Sequence, residues 1–336
     1  MRIIFIGDIH FQTTNIQNAE LFTLKIVEYL SKNSPDIIIL GGDLLHYHER
    51  LHTVPLNKCY ELIQKLSRIA PLYILVGNHD LINNQQFLTE NHWMNGLKEW
   101  KNVTIVDKVI YREFSKHSFV FTPYVPNGRF KEALNTIGDK WKSVNCIFAH
   151  QEFYGCKMGA IISTEGDKWD LKYPYIVSGH IHSKQQIQKN VYYSGSAMQH
   201  AFGESNKNII ASLNFPDEKS SYILDEIDLK LPRKRIVYLD SIEDVKNFKL
   251  KNNNRDDIKL TIKCSPSEFK TLKKCKEYKL LIKKNIKINF KNKPIENLNP
   301  GQSENINFLD ILDQEVKKHN NSDLLEMYTT IIKNCS

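Results

Sequence analysis

Five short apolar runs punctuate the first half of the chain, and each stops at a polar residue. Residues 2–7 stop at Asp8, 36–42 at Asp43, 72–77 at Asn78, 144–149 at His150 and 175–179 at His180. Unbroken apolar runs of this length predict strands buried on both faces. Residues 18–33 and 56–69 are amphipathic and long enough to be crossover helices between the first three strands. The pattern predicts an α/β fold. Sites in open α/β sheets lie outside the carboxyl ends of the strands, so all five polar ends can converge if they share one sheet. Residues 103–111 and 118–122 predict strands in the second half of a sandwich, and 129–141 a helix. Residues 154–170 have no clear period and lie between two of the polar ends, where they can form part of a rim.

Beyond residue 230 the period changes. Residues 258–263 and 286–291 alternate apolar with polar or basic side chains, as strands with one solvated face do. Residues 267–276 predict a short helix exposing Lys270, Lys273, Lys274 and Lys276. Residues 293–305, with Pro294, Pro300 and Gly301, predict a linker. Two amphipathic stretches follow: Phe308, Leu309, Ile311, Leu312 and Val316 share one face, and Leu324, Leu325, Tyr328, Ile331 and Ile332 another.

The polar ends form five motifs: GDIH (Asp8, His10), GGD (Asp43), GNHD (Asn78, His79), FAH (His150) and SGHIH (His180, His182). A lone His at a strand end is usually structural, and a lone Asp there usually caps a helix. Their joint occurrence in this order predicts a centre for two divalent cations, which is the chemistry of phosphoester hydrolysis. Mixed carboxylate, amide and imidazole donors suit Mn, Fe or Zn, whereas Mg prefers fewer nitrogens. Asp43 is the expected shared carboxylate. A water between the ions, ionised near neutral pH, would attack phosphorus in line. His79 directly follows a ligand and is the candidate general acid.

DxH, GD, GNH(D/E), H and GHxH together resemble the signature of the calcineurin-like metallophosphoesterase superfamily. Within it, the chain looks like the SbcD-type nuclease subunit of the double-strand-break repair complex, cellular or phage. GGDLLHYHER resembles that branch's GGDLF-x(3)-(R/K) segment, and residues 193–204 resemble its Y-x-G-S-x(5)-FGE run. The chain departs from that run in having Ser196 where the branch has Pro. The match covers residues 1 to about 215; beyond that it rests on layout.

The resemblance implies a four-layer αββα sandwich with a small α+β capping domain and a C-terminal helical hairpin. It implies one ion on Asp8, His10, Asp43 and His182 and a second on Asp43, Asn78, His150 and His180, with His79 catalytic and Mn²⁺ the working metal. His46 would support the site. The substrate would be DNA, cut by 3′-to-5′ exonuclease and single-strand or hairpin endonuclease activity. The partners would be a coiled-coil ATPase of the SbcC type and a second copy of the chain. On this layout residues 1–228 are the nuclease domain, 229–293 the basic cap, 294–305 a linker and 306–336 the ATPase-binding segment. His48, His52 and His200 read as plain loop or surface histidines.

Composition adds bounds. At 336 residues, two domains are expected. Six cysteines are scattered without a CxxC pair, which predicts reduced thiols in a cytoplasmic or nuclear setting and no zinc or disulfide framework. The start runs straight into a strand, and no stretch reaches membrane-spanning length, so neither secretion nor a membrane is expected. The net charge of +8 is local: residues 231–293 hold nineteen Lys and Arg against seven Asp and Glu. Such a segment either solubilises a small domain or binds nucleic-acid backbone, and its lysines suit phosphate contact without base readout. Two other functions stay open. One is a stand-alone metallophosphoesterase acting on a nucleotide, phosphoprotein or small diester. The other is a non-enzymatic interaction module, disfavoured because every ligand position is filled.

Overall fold

The computed structural model describes residues 1–216, 221–249, 256–284, 286–292, 312, 315–319 and 321–335. The first apolar runs become β1 (Arg2–Ile6), β2 (Ile37–Leu40) and β3 (Leu72–Leu75), joined by helices α1 (Ile16–Lys32) and α2 (Thr53–Ser67). These strands are parallel and continue into β4 (Val103–Val106). On the far side of β1, β13 (Ile210–Asn214) and β14 (Ile223–Ile227) add two antiparallel strands, completing a six-stranded sheet.

A second six-stranded sheet faces it. β6 (His117–Phe121), β7 (Cys146–His150), β10 (Tyr175–Gly179) and β12 (Val191–Tyr193) run parallel. Antiparallel β5 (Ile110–Phe114) and β11 (Gln185–Gln188) form its edges. The apolar runs are unbroken because each strand has two dry faces. Ile3, Phe5, Ile39 and Leu75 meet Phe119, Phe121, Phe148 and Val177 between the sheets. Ile4, Ile6, Ile38 and Leu40 turn outward against Phe22, Ile26, Leu62 and Leu66 of α1 and α2. Ile147, Ala149 and Ile176 turn the other way, onto Phe130 and Leu134 of α3 (Phe130–Asn135) and onto Trp141. The order helix, sheet, sheet, helix is the expected αββα sandwich.

Several expectations change. The five polar ends do not share one sheet: β1, β2 and β3 belong to the first, β7 and β10 to the second. Periodicity reports that a strand is buried, not which strand it pairs with. For the same reason residues 103–106 join the first sheet instead of the second. The helix expected over 129–141 ends at Asn135 and continues as a 3-10 turn from Gly138, whose φ of 66° no α-helix accommodates. Residues 154–170 contain a small hairpin, β8 (Lys157–Met158) and β9 (Ile161–Ile162).

A third sheet of parallel strands follows: β15 (Lys234–Leu239), β16 (Asp257–Cys264) and β17 (Lys287–Asn292). Helices α4 (Ile242–Asn247), α5 (Pro266–Leu272) and α6 (Lys276–Lys283) accompany it, around a core of Leu239, Val245, Leu260, Ile262, Leu272 and Leu281. The single helix expected over 267–276 is two, because Cys275 caps α6 through its sulfur and restarts the chain. The expected linker lies outside the described residues, as does most of the first amphipathic stretch after it. The second is α7 (Ser322–Cys335). No helix among the described residues is long and apolar enough to cross a membrane.

Candidate metal centre

The strands before Asp8, Asp43 and His180 end in sharp turns, whereas His150 is still part of its strand. Asp8, His10, Asp43 and His180 have φ values of 39°, 49°, 52° and 79°. A side-chain-bearing residue held there costs about 1–3 kcal/mol, and the surrounding backbone must enforce it. It does so by cross-ties. His10 N donates to Asp43 O (3.0 Å) and Phe11 N to Leu44 O (2.7 Å). Asp80, the last residue of GNHD, accepts from Leu44 N (3.2 Å), Gly77 N (3.0 Å) and Trp93 Nε1 (3.0 Å), tying the second motif to the third. Gly77 is needed at its position because a Cβ there would collide with the Asp43 carboxylate.

The ligating atoms fall into two groups. Asp8, His10 and His182 offer donor atoms within 4.8 Å of one another, and so do Asp43, His150 and His180. Asn78 joins the second group: its Oδ1 lies 3.1 Å from His150 Nε2 and 3.0 Å from His180 Nδ1. Its amide nitrogen donates outward to Asn84, which keeps the oxygen turned in. Asp43 Oδ2 lies 3.6 Å from His10 Nε2 and 3.4 Å from His150 Nε2, one oxygen facing both groups.

These residues fit divalent cations. Asp8 Oδ2 is fully buried without a hydrogen-bond partner, and such an atom is costly unless a cation meets it. His10 Nε2 and His182 Nε2 stand 3.0 Å apart, a pairing that requires a proton or a cation between them. His150 donates Nδ1–H to Gly41 O (2.6 Å), which turns Nε2 inward, and Glu204 Oε1 accepts from His182 Nδ1 (3.2 Å) to the same effect.

The electrostatics without ions show how much charge the pocket is built to hold. Burial drives His180 down to about 3, helped by His150. Burial would also lower His150, but the Asp43 charge and hydrogen bond outweigh it and lift the imidazole to about 9. Asp43 itself lies well below the usual carboxylate range: burial opposes this, while His150 and His10 prevail. The carboxylates that hold that proton would equally hold a cation.

All seven expected ligands are brought together. His79 stands beside them, half-buried, its N–H 2.8 Å from Asp43 Oδ1. Its Nδ1 donates to His46 O (2.6 Å), which leaves Nε2 as the atom for proton exchange. His46 is adjacent, its ring 5.3 Å from that of His10. Lys270, Lys273, Lys274 and Lys276 lie on or beside α5 and α6, away from this cluster. Two histidines read as plain loop or surface residues lie in loops but pack against the centre. His200 packs its ring on His10 (4.9 Å) and donates Nε2–H to Asp8 O (2.8 Å). His48 stacks on His79 (4.8 Å) and donates to Leu81 O. Their positions in sequence, away from any strand end, carried no signal of this. Glu204 and Asp80 were visible in the motifs FGE and GNHD, yet only the fold shows what they hold. Ser196 donates its N–H to His182 O (3.1 Å), a bond the proline of the resembled run lacks.

An αββα sandwich with a carboxylate–imidazole cluster at its strand ends defines a metal-dependent phosphoesterase. The chain belongs to the calcineurin-like phosphoesterase family, whose profile matches residues 1–184. It is 46% identical over 332 residues to "Putative phosphoesterase 078R" of Invertebrate iridescent virus 3, covering 96% of this chain and 94% of that one. It is 50% identical over 278 residues to "Putative phosphoesterase 244L" of Invertebrate iridescent virus 6, covering 82% and 98%. Among solved structures it is similar to a purple acid phosphatase from yellow lupin seeds, at 13% identity and a TM-score of 0.43 over 63% of this chain and 49% of that one. Nothing in these names specifies the SbcD-type branch.

Proposed function

We propose that the protein hydrolyses phosphoesters with two divalent cations, Mn²⁺ foremost, shared through Asp43. The observation that carries this is the single oxygen, Asp43 Oδ2, facing His10 on one side and His150 on the other. Cations held there would acidify a water and neutralise charge on the phosphoryl oxygens. The chain's own residues do the rest. Asp8 and Asp43 supply the negative charge, and Gly41 O and Glu204 orient His150 and His182. His79 Nε2, at the edge of the cluster, delivers a proton to the leaving oxygen. A groove of about 850 Å³ runs past His79, lined by Tyr47, Leu51, Ile82 and Trp93 among others, and gives a substrate access.

The relatives' names support a phosphoesterase and specify no substrate, so an enzyme acting by itself on a nucleotide, phosphoprotein or small diester fits them at least as well as a nuclease. A second reading, a DNA nuclease of a repair or recombination complex, is favoured by one observation: Lys234, Lys259 and Lys287 of β15, β16 and β17 gather around Phe202, in the loop that carries Glu204. On that reading the exposed apolar side chains Leu324, Leu325 and Met327 of α7 support an ATPase-binding segment. Incubation with Mn²⁺ and either end-labelled duplex, hairpin or single-stranded DNA or bis(p-nitrophenyl) phosphate separates the readings. Cleavage of the small diester with all DNA intact, alone and with a coiled-coil ATPase encoded beside it, removes the nuclease. No hydrolysis of either with Mn²⁺, Fe²⁺, Zn²⁺ or Mg²⁺ removes the hydrolase.

A further inference from the structure

Three ammonium groups converge on one aromatic ring beside the metal centre. Lys234 of β15, Lys259 of β16 and Lys287 of β17 each place Nζ 5.6–5.9 Å from the centroid of Phe202. Phe202 lies two residues before Glu204, the carboxylate that orients His182. With His180, His182, Met158 and Glu204 it lines a second groove of about 560 Å³. Gln199 fastens the sheet to this loop: it accepts from Lys234 N (2.7 Å) and donates to the carbonyls of Lys234 and Glu204.

The three lysines mark one face of the sheet. Val237, Leu239, Leu260, Ile262, Ile288 and Phe290 pack into the core on the other face, among α4, α5 and α6. The alternation of a strand then puts Lys234, Ile236 and Tyr238 together on the open face, with Lys259 and Lys287 in register with Ile236 and Lys291 in register with Lys263 further along. Asp257 neutralises Lys234 (2.9 Å) and Asp240 neutralises Lys263 (2.9 Å). Among the described residues, Lys259 and Lys287 have no carboxylate within ion-pair distance. They are cross-strand neighbours, so they repel each other. The Phe202 ring offsets only part of that. An anion between them relieves the repulsion fully. Tyr238, 57% exposed, adds a flat aromatic surface on the same face.

We infer that this face, with Phe202, is a landing surface for single-stranded nucleic acid leading into the metal centre. Lys259 and Lys287 take a backbone phosphate, and Tyr238 stacks on an unpaired base. Exposed rings beside a phosphate-binding groove suit a strand whose bases are unstacked, and a duplex offers none. The inference rests on the nucleic-acid reading of the metal centre and adds where the strand runs. It differs from the helix lysines 270, 273, 274 and 276, which sit across the sheet core.

The test is the affinity of labelled oligothymidine for the full chain in chelator, by fluorescence anisotropy across a salt series. Wild type binds. Lys259→Ala/Lys287→Ala weakens binding tenfold or more and lowers the slope of log Kd against log salt by about 0.7, the counterions of one phosphate contact on a single strand. Tyr238→Leu weakens binding and leaves the slope alone. Hydrolysis of bis(p-nitrophenyl) phosphate by the same preparations reports that the metal centre is assembled. The landing surface is overturned if wild type does not bind, if the double variant binds as wild type does, or if Lys270→Ala/Lys273→Ala loses as much. Cleavage of the oligonucleotide with binding indifferent to Lys259 and Lys287 sinks this surface and keeps the nuclease. Binding that depends on them without any cleavage does the reverse.

Discussion

The metal-centre half and the β15–β17 sheet both concentrate polar residues, but in opposite ways. In the first, Asp8, His10, Asp43, Asn78 and His150 are buried and cross-tied, and Asp8, His10 and Asp43 are also strained, so each has one permitted position. In the second, Lys259, Lys287 and Lys291 stand on a solvated face, where side chains are placed by strand register and left free to move at their tips. The difference teaches where specificity resides. A buried polar residue is expensive to misplace, so its chemistry is fixed by geometry. An exposed lysine acts through a screened field and tolerates small shifts of its charge.

Substitutions can break or sharpen that contrast. The largest effect belongs to the shared carboxylate: Asp43→Asn lowers kcat/KM by about a thousandfold or more, because several kcal/mol of charge stabilisation depends on it. Metal content by mass spectrometry falls with it, and retained content would deny Asp43 its bridging role. Next is His79→Gln, which lowers kcat by about 10²–10⁴-fold while metal content stays near wild type. Loss of metal instead makes His79 a ligand. Glu204→Gln comes third, lowering metal affinity or activity by about 10–100-fold through a misdirected His182. An unchanged metal titration removes that link between loop and centre.

The smallest effect is on pH dependence. Burial, then the charge of His182, hold His200 at about 4, below its ordinary 6.5. Between those values the unfolded chain binds the proton and the folded one refuses it, so stability is lost as pH falls from 6.5 towards 4. In the metal-free protein, His200→Gln should therefore flatten the fall of Tm over that window. An equally steep fall would show that His200 is not the buried neutral group described.

The α/β class was legible because a strand with two dry faces must be apolar throughout, as residues 2–6 and 37–40 are; the four-layer αββα order came from the family resemblance. The ligand identities were legible because each interrupts such a run. Which sheet each strand joins was not, since pairing is a long-range choice that leaves no local period; residues 103–106 went to the sheet opposite the expected one. His48 and His200 were illegible for a related reason. They reach the centre by folding back from loops, across 33 residues in one case and 192 in the other.

By itself, then, the sequence determined the donor set and the order of its motifs, because ligand chemistry depends on residue type and a strand end is a local event. The tertiary structure alone decided the grouping around Asp43 Oδ2, the orienting bonds from Gly41 and Glu204, and the meeting of Phe202 with lysines from three separate strands. Those are distances between residues far apart in the chain, and only close packing of the sheets and loops brings them within reach of one another.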